Sequence, residues 1–79
     1  MDKDIIVRAL NGLIVEALMH GGDPGGPYYC NEELLVKSME HTKALFGLDN
    51  YIIREVKDVS WEYEPGKKTR VTCHQYIKV

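Results

Sequence analysis

Cysteine is scarce in this sequence: Cys30 and Cys73 are the only two in 79 residues. Small secreted domains usually carry several bridges, so both are expected as free thiols buried like small apolar side chains. Long apolar runs are also missing. The run that follows Met1-Asp2-Lys3-Asp4 is interrupted by Arg8, Asn11, Glu16 and His20, short of the roughly 20 apolar residues that cross a bilayer. The mixed leading charges and the lack of a small-x-small cleavage site argue against a secretory signal, so the expected compartment is the cytoplasm, away from membranes.

A dominant charge is lacking too. Ten Lys and Arg stand against 12 Asp and Glu, for a formal charge of -2 and a pI near 5.9, which argues against wholesale electrostatic binding of nucleic acid. Paired metal-ligand spacing is absent: there is no C-x-x-C and no H-x-x-x-H among His20, Cys30, His41, Cys73 and His74, so no metal and no cofactor is expected. A Cys–His nucleophile pair, Cys30 with His41 or His74, would need tertiary contact and a shaped cleft that so short a chain has little surface to supply. Glu62 and Glu64 read more simply as cross-strand partners of basic residues than as an acid–base pair.

What the sequence does contain is enough apolar side chain for a core. Leu, Ile, Val and Phe make up 21 of the 79 residues, which predicts one small globular domain over residues 1–79. Over residues 4–20 a helical period gathers Ile6, Val7, Leu10, Leu13, Ile14, Ala17 and Leu18 on one arc, a core-facing helix. Asn31 is a good N-cap for a second helix over about 32–46, with Leu34, Leu35, Met39, Leu45 and Phe46 on its broad apolar face and Gly47 at its C-terminal cap. The stretch between, His20 to Pro27, is rich in Gly and Pro. It reads as a connector, with an anion site at Gly21, Gly22, Gly25 and Gly26 as the alternative function, serving a small ligand or nucleotide.

From Tyr51 onward β-branched and aromatic residues take over. Alternation on both sides of Pro65-Gly66 predicts a hairpin, with Tyr63 opposite Val71 and Trp61 opposite Cys73. Residues 51–58 are expected as strand, either a third short one or a bulged extension of the first arm. The predicted fold is therefore α+β: two antiparallel helices on one face of a small two- or three-stranded antiparallel sheet, in the order α-α-β-β.

Charge is unevenly spread, with four basic and eight acidic residues up to residue 50 and six basic against four acidic after it. The basic excess gathers on the hairpin and its outward face, which makes Lys67, Lys68, Arg70, His74, Tyr76 and Lys78 the candidate partner-binding residues. A protein partner is favoured, and nucleic acid is the lesser alternative because the whole chain is net negative. The first helix also carries a second stripe, Ile5, Ala9, Gly12, Val15 and Met19, expected as the interface of a homodimer. Together these features predict a small protein-interaction module.

Overall fold

The computed structural model describes residues 2–20 and 32–79. Helix α1 runs Lys3–His20. Asp2 starts it as the N-cap, its Oδ1 accepting from the Asp4 N–H at 2.9 Å and its carbonyl accepting from Ile6 N–H at 3.2 Å. One of the helix's orphan donors is thereby satisfied by a carboxylate at the positive end of the dipole.

Helix α2 runs Glu32–Phe46, matching the predicted span. Gly47 adopts φ +63, and Leu48 N–H donates to Lys43 O at 3.0 Å while Gly47 N–H donates to Ala44 O at 3.3 Å. These paired bonds are a Schellman cap, which needs a left-handed residue that glycine provides without strain. The cap delivers Leu48, fully buried, into the core. Lys3 adds a tie across the molecule by donating to Gly47 O at 2.7 Å.

Strand β1, Tyr51–Glu64, and strand β2, Lys67–Lys78, form one two-stranded antiparallel sheet. Residues 51–58 are the bulged extension of the first arm and not a separate strand. The register differs from the expected one. Trp61 lies opposite Thr69, Val59 opposite Val71 and Val56 opposite Cys73. The reason is the turn: Pro65 and Gly66 alone close the hairpin, with Gly66 at φ +78 as the second central residue of a type II turn requires. That tight closure sets Glu64 against Lys67, and a one-residue register shift at Tyr63 then sets Glu62 against Lys68; both become ion pairs, at 3.2 and 4.0 Å.

A second irregularity falls between Val56 and Val59, where Asp58 takes φ +61. A straight strand of 14 residues would span roughly 45 Å, whereas the longest dimension of the molecule is 32 Å. The hairpin must bend, and the bulge is where its pairing breaks to allow it. The bend brings the distal half back to α1, where the Trp61 indole N–H donates to Glu16 Oε1 at 2.8 Å.

The core cluster is Val7, Ile14, Met39, Leu48, Tyr51 and Tyr76, with Leu10, Leu18, Leu35 and Ile53 packed against it. Helix α1 is rotated from its expected seat, since Leu13 is 64% exposed while Val15 is 4% exposed. Asn11 explains the rotation. Its side-chain amide donates to Tyr76 O at 3.1 Å and accepts from Tyr76 N–H at 2.8 Å, occupying the outer edge of β2. Because Val79 N–H donates to Asn50 O at 2.8 Å, the alternating ladder leaves the peptide groups of Tyr76 pointing away from β1. A helix drawn in by Asn11 turns Val15 inward and Leu13 outward.

Successive residues of a strand point to opposite faces, so α1 meets both faces of β2 at this edge. Tyr76 enters the core, its hydroxyl donating to Met39 O at 2.7 Å. Gln75, on the other face, is buried and donates to Asn11 O at 3.3 Å. At the mouth of the core, Tyr51 donates through its hydroxyl to Asp4, which also faces Lys78 at 3.5 Å.

Candidate interaction surfaces

The hairpin tip is fully in solvent: every residue from Glu62 to Lys68 is exposed, and so is Arg70. Two of its three cations are matched by carboxylates in the same ribbon, Lys67 by Glu64 and Lys68 by Glu62. Exposed pairs of this kind contribute about 0–1 kcal/mol and open readily. The tip is therefore a surface of mixed sign, able to exchange its internal pairs for pairs across an interface. Trp61 and Tyr63 stand beside it with ring centroids 5.6 Å apart and tilted by 34°, and Tyr63 is 48% exposed.

The other three residues expected at this site lie elsewhere. Tyr76 is buried and His74 half-buried, because below the bend their face of the sheet turns into the core. Lys78 sits at the base beside Asp4. Alternation placed these residues on one strand face with Arg70 correctly, but a bent hairpin makes the same face solvent at the tip and core at the root. The structure thus keeps Lys67, Lys68 and Arg70 on the distal hairpin together with Trp61 and Tyr63, but Lys68 and Arg70 share a face with Glu62 and Ser60, opposite the face of Trp61 and Thr69.

Of the stripe expected at a homodimer interface, Val15 is covered by the chain's own fold, so it is not part of an outward face. Ile5, Ala9, Gly12 and Met19 are exposed, and Leu13 joins them through the rotation of α1. Gly12 is open: among the described residues, no atom beyond its chain neighbours and the helix's own backbone lies within 4 Å of where a Cβ would stand. Between this face and the distal hairpin lies a cleft of about 630 Å³, bordered by Gly12, Leu13, Glu16, Trp61, Glu62 and Gln75 among others. A second, narrower groove of about 190 Å³ runs between the helices along Leu13, Ala17, Leu35 and Thr42.

Cys73 is a free, buried thiol. Burial pushes its pKa up and the hydrogen bond donated by Gln75 Nε2 at 3.3 Å pulls the other way more weakly, which is the reverse of what activates a cysteine nucleophile. The glycines at 21, 22, 25 and 26, and Cys30, lie outside the described residues. Among the described residues no three His, Cys, Asp or Glu side chains converge as a metal would require, and no helix is long and apolar enough to cross a membrane. Comparison with protein-family models, with curated proteins and with solved structures gives no match.

Proposed function

We propose that this chain is a small homodimeric protein-interaction module of the cytoplasm, without chemistry of its own, that engages a protein partner through the distal hairpin. The observation that carries the reading is the tip itself, where Lys67, Lys68 and Arg70 are exposed on the same ribbon as the Trp61–Tyr63 pair, Lys68 and Arg70 on the face opposite Trp61. Aromatic and arginine side chains are the residues that most often dominate binding energy at protein interfaces.

The sign of the partner follows from the ion pairs. A long polyanion would meet Glu62 and Glu64 interleaved with the cations, so a nucleic-acid backbone gains little here. A protein surface carrying both signs, acidic where it meets Arg70, complements the ribbon better.

Changing Lys67, Lys68 and Arg70 together to Glu tests this. The variant is expected to keep its circular dichroism spectrum and its oligomeric mass while capture of the native partner from the protein's own cells falls at least about tenfold. Undiminished capture by a folded triple variant overturns the assignment of the tip.

A further inference from the structure

If the chain works as a homodimeric module, the exposed face of α1 also specifies how the two copies meet. We infer that a second copy of this chain packs its α1 antiparallel against the first, about a twofold axis through Gly12, and contributes Arg8 to the cleft beneath Trp61.

The pattern lies in the positions that flank Gly12. On a helix, residues four and seven apart share a face. Arg8 and Glu16 stand four residues either side of Gly12, and Ile5 and Met19 seven residues either side. All five are exposed. In an antiparallel pair centred on Gly12, each Arg8 therefore faces the Glu16 of the other copy and each Ile5 faces the other Met19. A twofold interface must be self-complementary, with residue i meeting j and j meeting i, and this face meets that condition in both charge and hydrophobicity. The parallel arrangement would set Arg8 against Arg8 and Glu16 against Glu16.

Three features of the fold agree with that occupant. Gly12 presents no side chain on the axis and, among the described residues, no atom beyond its own helix turn comes within 4 Å of where a Cβ would stand, so two backbones can approach closely there. The cleft beside it is lined by the carboxylates Glu16 and Glu62, the latter facing Lys68 at 4.0 Å, and none of the described lining residues is cationic, so it complements a guanidinium. Leu13, 64% exposed on the same helix, gains a cover that the chain's own fold does not give it. The arriving Arg8 would reach Glu16 at the carboxylate to which Trp61 donates, and its planar guanidinium is suited both to that carboxylate and to an indole face.

Sedimentation equilibrium over a concentration series tests the geometry, with the emission of Trp61, the only tryptophan, followed in parallel. The wild-type chain is expected at about twice 9.0 kDa, and its emission should shift as dilution separates the copies. Arg8→Glu sets like charges together twice per dimer and is expected to raise the dissociation constant at least about tenfold. Arg8→Glu combined with Glu16→Arg should restore most of the loss. As a readout independent of charge, Gly12→Cys should form a covalent dimer in air, because the two sulfurs would meet on the axis, whereas Leu34→Cys on α2 should not. A wild-type monomer at every concentration overturns the homodimer itself. A dimer that tolerates Arg8→Glu and does not cross-link through Gly12→Cys overturns this arrangement and leaves the homodimer standing.

Discussion

Replacing Asn11 with Ala removes one amide from an exposed-looking position on a helix, yet it should be among the most damaging single changes in the molecule. The side chain makes two hydrogen bonds to Tyr76, at 3.1 and 2.8 Å, each contributing about 1 kcal/mol net. Tyr76 is only 3% exposed, so its N–H and C=O would lose their partners where water has little access, a penalty of about 1–3 kcal/mol for each group left unsatisfied. Relaxation toward solvent recovers part of that, and the better helix propensity of alanine returns about 0.6 kcal/mol. A loss of roughly 2–4 kcal/mol remains. A chain of this size is expected to have about 4–12 kcal/mol in total. Urea unfolding followed by circular dichroism, at one fixed protein concentration because self-association adds to stability, should show the midpoint fall accordingly. Asn11→Asp is the chemical control. Its carboxylate still accepts from Tyr76 N–H but faces Tyr76 O without a proton, so its deficit relative to wild type should shrink below about pH 4, where the protonated acid donates again. A change under about 0.5 kcal/mol for Asn11→Ala would refute the edge-capping role and the explanation it gives for the rotation of α1.

Other substitutions and conditions probe different links. Asp58→Gly should stabilise by up to about 1 kcal/mol and Asp58→Val should destabilise by at least as much, read by thermal unfolding, because the bulge holds a non-glycine residue at φ +61; the opposite order would mean the bend is made elsewhere. Leu48→Ala empties a fully buried site at the α2 cap and should lose about 2–5 kcal/mol in urea unfolding. Alkaline pH should also destabilise. Burial raises the pKa of the Cys73 thiol and of the Tyr76 phenol in the folded chain, so the native state holds protons that the unfolded chain releases first. Stability is then fully present below the unfolded pKa values and falls from about pH 8.5 upward. A flat profile to pH 11 would contradict that burial.

Local signals carried most of the elements. The cap at Gly47, the start of α2 and the turn at Pro65-Gly66 are short-range features that the chain writes within a few residues. For residues 51–58 the sequence left a third strand and a bulged extension of the first arm both open, and the structure shows the extension. Register was not legible, because it combines a two-residue closure that sets Glu64 against Lys67 with extra residues at Tyr63 and before Val59, and alternation alone marks none of these. The seat of α1 was misjudged because a hydrophobic arc treats Asn11 as an outside residue. Its two bonds to a strand edge outweighed the burial of Leu13. That one substitution of a polar anchor for an apolar one also split the expected dimer stripe, sending Val15 inward. At the candidate site, Lys67, Lys68 and Arg70 could be read from charge alone. The separation of Tyr76 and His74 from them depends on the bend at Asp58, which no pairwise pattern in the sequence announces.

The claim that the distal hairpin is the partner-binding surface is tested most directly by a photo-crosslinking side chain placed at Arg70 and, for comparison, at Lys37 on the solvent face of α2, each expressed in the protein's own cells. Interaction through the tip predicts a discrete adduct with another protein from position 70, lost when Lys67 and Lys68 are changed to Glu, and none from position 37. Equal labelling from both positions, or an adduct at position 37 alone, would contradict it.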